Sequence, residues 1–242
     1  MPQPKPYPNI YRDGPGNVTE AYRDACKSPE AIRCFASYEL LKKDLRAAFE
    51  YIEPDKPNMD TYSHRTYELL LRACTEVEAL CKQVFDKNGV DMRGKTDIRR
   101  YSDLEHPMQL STYEIACYGF TCQDFQPFAA FANAIRDQRS PEWYRAYNDA
   151  KHNRMSKFDR ASLWNAIQAI GAVYTLLVAQ YGPRFDRAVH GTVVGVPFMD
   201  PPDMFSTRAL PHWPNDERYE FDWNSLKGTA DAYQYHPLPE IP

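Results

Sequence analysis

The chain lacks most of the short patterns that announce a function. Its six cysteines, Cys26, Cys34, Cys74, Cys81, Cys117 and Cys122, form no Cys-x-x-Cys pair and no zinc spacing. His64, His106, His190, His212 and His236 are scattered along the chain. No metal site and no cofactor are therefore expected. The N-terminus has no apolar stretch of the kind found in a signal peptide, and no segment approaches the roughly 20 apolar residues that span a bilayer. The expectation is a soluble, cytoplasmic protein with no membrane partner. Positive charge is also short: the formal net charge is −4. That argues against indiscriminate nucleic-acid binding, although a global sum can hide a local patch.

Helical patterning dominates what is present. Residues 1 to about 16 carry Pro2, Pro4, Pro6, Pro8 and Pro15 with a Gly-Pro-Gly, and read as an extended arm that does not nucleate a core. Ser28-Pro29-Glu30 is a helix-start signal. Ile32, Phe35, Tyr38, Leu41, Leu45, Phe49 and Ile52 follow at helical spacing, which predicts a helix over 29–53. Pro54 and Pro57 stop it. Asp60 is positioned to cap a second helix over 60–86, which Asn88-Gly89 ends. Within that helix Cys74 and Cys81 are two turns apart among apolar residues, as small buried hydrophobes. Ser111 to Phe125 alternates weakly and suggests a short hairpin, followed by a short helix over Pro127 to Ile135.

Ser140-Pro141-Glu142 repeats the start signal and opens a helix over 141–153. Ser156 to Asp159 has the form of a capping box for a last helix over 157–181, closed by Gly182-Pro183, and Gly171 in its middle suggests close approach of another helix. Prolines are frequent after Arg184, with short extended segments expected at Val193–Val196 and Tyr219–Trp223. Phe205, Trp213, Tyr219, Phe221, Trp223, Tyr233 and Tyr235 make this tail too aromatic for simple disorder. The fold class read from the pattern is mainly α: an antiparallel helical bundle with a small irregular or β insert and an extended aromatic C-terminal arm. Its parts are a Pro-rich N-terminal arm (1–27), the bundle (28–183), and an arm (184–242) that packs on the bundle or on a second subunit.

Chemistry concentrates in the 140–154 stretch. At about 100° per residue, Arg145, Asn148 and His152 fall on one helical face, with Asp149 at its margin. A forked permanent cation, an amide and an imidazole suit a phosphate or phosphodiester. From 136 to 160, Arg136, Arg139, Arg145, Lys151, Arg154, Lys157 and Arg160 outnumber Asp137, Glu142, Asp149 and Asp159, a basic segment in an acidic protein. Asp149, Lys151 and Arg154 are candidate ligand contacts; Lys151 and Arg154 lie off the main face, as charges that steer a backbone or as plain surface. The plainer alternative is a solvated helix face whose histidine satisfies a carbonyl or carboxylate.

Two long helices, an irregular insert, a helix carrying Trp143, Tyr147-Asn148 and Lys151-His152-Asn153-Arg154, and then a long apolar helix resemble the HEPN superfamily (higher eukaryotes and prokaryotes nucleotide-binding) over residues 29 to 182. The family motif has an arginine, often followed by a polar residue such as asparagine, and then a histidine with four to six residues between it and the arginine. Arg145 and His152 fit its outer spacing. If the Arg-Asn-x-x-x-His form is laid on Asn148 and His152, Tyr147 stands where the family has arginine. The resemblance implies metal-independent RNA cleavage of a toxin, antiphage or RNA-processing type, with His152 as general acid or base, Arg145 stabilising the phosphorane and Asn148 orienting the phosphate. It equally implies a catalytically silent module that binds nucleotide, RNA or protein. It further implies a two-fold homodimer and, for a toxin, a protein antitoxin as partner. A helical interaction protein with no nucleotide ligand is the third reading.

Overall fold

Ser28 starts the first long helix as its sequence requires. Its Oγ accepts a hydrogen bond from the Ala31 amide, and Pro29 occupies the first turn of α2 (Pro29–Phe49). In the computed structural model, which describes residues 5–15, 18–92, 97–117, 124–183, 185, 204–230 and 232–234, the chain is mainly helical with a small two-stranded antiparallel sheet. A short helix not anticipated from the sequence, α1 (Val18–Ala25), precedes α2. The end of α2 comes four residues before the expected boundary, because the chain turns at Tyr51 and Ile52 ahead of Pro54, and a residue before proline is driven out of the helical region.

The next helix, α3 (His64–Lys87), is capped by Ser63 rather than Asp60. Ser63 Oγ accepts from the Thr66 amide and Thr66 Oγ1 accepts from the Ser63 amide, a reciprocal box at 3.1 and 2.8 Å. Asp60 lies instead in a turn whose neighbours are tied elsewhere: the Met59 and Thr61 carbonyls accept from Trp164 and Leu163. Cys74 and Cys81 are buried in α3, and burial raises both thiol pKa values above the ordinary range. After the short helices α4 (Ile98–Tyr101) and α5 (Glu105–Met108) comes strand β1 (Glu114–Cys117). The expected helix over 127–135 is reduced to a 3-10 turn at Ala129–Ala132. The motif helix α6 (Glu142–His152) and the single turn α7 (Arg154–Lys157) lead to α8 (Leu163–Tyr181).

The cap of α8 is Ser162, whose Oγ accepts from the Asn165 amide; Ser156 forms no capping box, its hydroxyl donating to the Asn153 carbonyl within α7. This shifts the helix start from 157 to 163. Only Trp164 and Gln168 of α8 escape full burial, as expected of a helix that is apolar all round. By length and composition α8 could cross a membrane, more than the sequence pattern indicated, yet 89% of its most apolar window is buried inside the fold. It is the central element: α3 packs along it, α2 leans on both, and α6 contacts α3 and α8. Gly182, at φ +86°, ends it in a conformation that L side chains resist.

Gly171 does allow close approach, but not of another helix. A Cβ there would lie 2.8 Å from Ile115 Cδ1 and 2.9 Å from the Phe125 ring. Ile115 and Phe125 exchange backbone hydrogen bonds of 2.9 Å, the fragment of the expected hairpin that the described residues contain. The main partner of β1 comes from the tail: β2 (Phe205–Ala209) pairs antiparallel to it, with Glu114 opposite Ala209 and Cys117 opposite Phe205. Of the two extended tail segments expected, 193–196 lies outside the described residues, and 219–223 carries no strand, Trp223 opening the short helix α9 (Trp223–Leu226).

The N-terminal arm also departs from expectation, because it packs into the core. Tyr7, Ile10 and Arg12 are buried, and the Tyr11 amide donates to Ala179 of α8. The tail closes over it. Tyr219 OH donates to the Ile10 carbonyl and accepts from the Tyr7 amide, both at 3.1 Å. Arg12 lies 4.1 Å from the Trp213 ring centre and donates to the carbonyls of Pro107 and Glu217. The two arms therefore share one seam, and the N-terminal segment belongs to the same core as the helices.

Candidate functional site

Packing decides which side of α6 is open. Trp143, Tyr144, Ala146, Tyr147 and Ala150 are buried, Trp143 Nε1 donating to the Pro127 carbonyl and Tyr144 OH to Glu78 Oε1 on α3. Burial, and then the Glu78 carboxylate, push the Tyr144 phenol pKa up, so it remains a donor. The opposite face is polar. Ser140 does not cap the helix through its side chain; its carbonyl instead accepts from Arg145 Nη1 at 3.0 Å.

Arg145, Asn148 and His152 do share the outward face: Arg145 and His152 are exposed and Asn148 half-buried. They are not equally available. The Arg145 guanidinium is committed to Glu142, with Nε at 2.9 Å and Nη2 at 2.5 Å from the same carboxylate oxygen. Glu142 also pairs with Arg160, whose Nε lies 3.3 Å from Asp149 Oδ2. Partial burial on its own would raise the Glu142 carboxyl, but hydrogen bonds from Arg160 and Arg145 outweigh it and hold the pKa below its usual value. Arg145, Glu142, Arg160 and Asp149 thus form a locally neutral network. The Glu142–Arg145 pair, three residues apart on one helix, was visible in the spacing; Arg160, 18 residues from Glu142, was not.

His152 ends α6, and neither its side chain nor that of Asn148 has a hydrogen-bond or ion-pair partner among the described residues. Along the axis Arg145 and His152 are seven residues apart, about 10.5 Å. Lys151 turns back to the helix: its Nζ donates to Tyr147 OH at 2.9 Å and lies 4.9 Å from that ring's centre, and the hydrogen bond raises its pKa. Tyr147 itself is buried, so the position that one alignment of the motif gives to arginine faces the interior.

Arg154 belongs to a different setting from the other candidates. It follows α6 on α7, and its guanidinium carbon stands 5.3 and 5.6 Å from the ring centres of Tyr67 and Phe158, with Nη2 3.5 Å from His64 Nδ1. A guanidinium can only donate, so in this contact His64 Nδ1 is the accepting atom. Tyr62, His64 and Tyr67 all surround Phe158, at centroid distances of 5.8, 4.9 and 5.5 Å. No carboxylate among the described residues pairs with Arg154. Phe158 is four residues on from Arg154, but Tyr62, His64 and Tyr67 come from the start of α3 and the residues just before it, some 90 residues upstream, and nothing in the local pattern pointed to them.

Two recesses, of about 460 Å³ beside Asp13, Gly14 and Arg218 and about 280 Å³ along Lys42, Lys43 and Arg46, are lined by no residue of α6 or α7. On α6 and α7, Arg145, His152 and Arg154 are themselves exposed, and Asn148 and Asp149 are half-buried. Comparison with protein-family models, with curated proteins and with solved structures gave no significant match. Fold and site together define a mainly helical protein whose polar helix ends in an unpaired imidazole beside a cationic, aromatic surface.

Proposed function

We propose that the chain is a HEPN-like antiparallel helical bundle that binds nucleotide or RNA without cleaving it, in the cytoplasm. The order of α2, α3, the short elements α4, α5 and β1, then α6 and α8 supports the bundle reading. The observation that carries the silent reading is the placement of the two possible motif arginines. Tyr147 occupies one position and is buried, while Arg145 at the other is held by Glu142 and the Ser140 carbonyl. What stays open to a phosphate is the end of the helix, His152 and Arg154, within a locally basic stretch.

One observation favours the second reading, a metal-independent endoribonuclease. His152 is exposed and unpartnered, so its ring is available for general acid–base work, and an exposed pair such as Arg145–Glu142 is worth only about 0–1 kcal/mol and yields readily to a phosphate. The two readings separate on a mixed RNA pool incubated in chelator. Binding measured by fluorescence anisotropy without cleavage supports the silent module. Cleavage leaving 2′,3′-cyclic phosphate ends, abolished by His152→Ala, replaces it with the nuclease. The two-fold dimer implied by the resemblance is part of the proposal, and light scattering at micromolar concentration tests it; a protein antitoxin as partner belongs only to the nuclease reading.

A further inference from the structure

We propose that Tyr62, His64, Phe158 and Arg154 form a stacking site for an unpaired base of single-stranded RNA. The proposal rests on the RNA-binding reading above and specifies where and how the strand is held. Tyr62 is 51% exposed and stands edge-on to Phe158 at an interplanar angle of 88°, while His64 is exposed at the first position of α3. Phe158 is half-buried, and Tyr67, on the same helix as His64, packs tilted against it at 5.5 Å. Tyr62 and His64, the exposed rings of the cluster, offer π-faces to a base, and stacking on such faces tolerates any base; the Phe158 ring, with Arg154 already over it, holds them in place.

The charges around these rings are out of balance. Arg154 is placed against His64, at the start of a 24-residue helix whose first turn holds His64 and Arg65 and no acidic residue. A helix start already carries partial positive charge, so the Arg65 and Arg154 guanidiniums near it add to that charge unless an anion intervenes. Glu68 answers Arg65, at 3.7 Å, and no carboxylate among the described residues answers Arg154. A phosphate adjoining the stacked base would neutralise this surplus, with the Arg154 guanidinium bridging phosphate and ring. Met155, 99% exposed on the next position, adds an apolar edge without charge. His152 lies two residues before Arg154, so a strand leaving the stack passes the open end of α6. A duplex hides its base faces and cannot stack here.

The test uses the whole protein and fluorescein-labelled 10-nucleotide oligo(U) and oligo(A), with a hairpin duplex of equal length as control, read by anisotropy. The expected result is tighter binding of both single strands than of the duplex. Tyr62→Ala and Phe158→Leu should each weaken single-strand binding at least fivefold, and Arg154→Lys, which keeps the charge but loses the planar fork, should weaken it as well. Circular dichroism confirms that each variant is folded, and Tyr62→Ala, at an exposed position, guards against a folding defect in Phe158→Leu. Single-strand binding that is unchanged in Tyr62→Ala and in Phe158→Leu overturns the stacking site and leaves the RNA-binding reading standing. Preference for the duplex overturns it too. Failure of the wild-type protein to bind any of the three RNAs overturns the RNA-binding reading and this site with it.

Discussion

Arg12 and Arg154 are both arginines set against aromatic rings, yet one is structural and the other is left open. Arg12 is 6% exposed, lies 4.1 Å from the Trp213 centroid and reaches the carbonyls of Pro107 and Glu217 and, at 3.4 Å, the Glu217 carboxylate. Arg154 is exposed, has rings at 5.3 and 5.6 Å, and among the described residues finds only His64 Nδ1 as an acceptor, at 3.5 Å. A ring provides a surface for either cation, but acceptors decide what the cation is for. Where carbonyls and a carboxylate satisfy it, the arginine joins segments distant in sequence. Where they are missing, its donors are available to a ligand.

The sharpest way to break this comparison is to truncate the buried member. Arg12→Ala removes the ring contact and leaves two carbonyls inside the seam without their donor, so stability should fall by about 3 kcal/mol, lowering the midpoint of a thermal melt by roughly 6–12 °C. A melt unchanged within error would mean that the seam does not hold the arms. Tyr219→Phe, which loses the hydroxyl shared by Tyr7 and Ile10, should cost about 1–2 kcal/mol in chemical denaturation. At the open seat, Arg154→Ala should change stability by under about 1 kcal/mol, the scale of an exposed cation–π contact, while weakening RNA binding about tenfold. A destabilisation equal to that of Arg12→Ala would show Arg154 to be a second staple.

The seam should also respond to acid. Hydrogen bonds from Lys227, Lys27 and Trp223 hold the Asp24 carboxyl well below its ordinary range, tying α9 to α1. A carboxyl depressed in the folded state contributes stability that is complete above its unfolded value, near about 4, and is lost as pH falls towards the folded value. Tail protection from protease should therefore weaken below about pH 4 and not between pH 5 and 8. Asp24→Asn should weaken it at neutral pH and flatten the acid response. The smallest effect belongs to Arg145→Ala, within about 0.5 kcal/mol, because an exposed pair with Glu142 contributes little. A loss above about 1 kcal/mol, measured by denaturation, would mark the Glu142–Arg160 network as part of the core.

Periodicity and caps were legible wherever the deciding interaction is local. Ser28 and Pro29 start α2, Gly182 ends α8, and the apolar positions of α3 and α8 face inward as their spacing required, because a helix organises contacts within four residues. The caps at Asp60, Ser140 and Ser156 failed because each lies in a local turn or has a backbone partner instead: α3 began four residues and α8 six residues later than expected, and α6 has no side-chain cap. The N-terminal arm was misjudged because its partners are remote; no window around Arg12 contains Trp213 or Tyr219.

The candidate site divides along the same line. By itself the sequence determined that Arg145, Asn148 and His152 share one outward face, since 3.6 residues per turn leave no alternative once the helix exists. Only the tertiary structure decided which of them is available: it brought Arg160 to Glu142 and Asp149, turned Lys151 back onto Tyr147, and set His64, Tyr67 and Phe158 around Arg154. Charge and polarity are properties of a residue type, whereas whether a charge is already answered depends on groups that folding brings from tens of residues away.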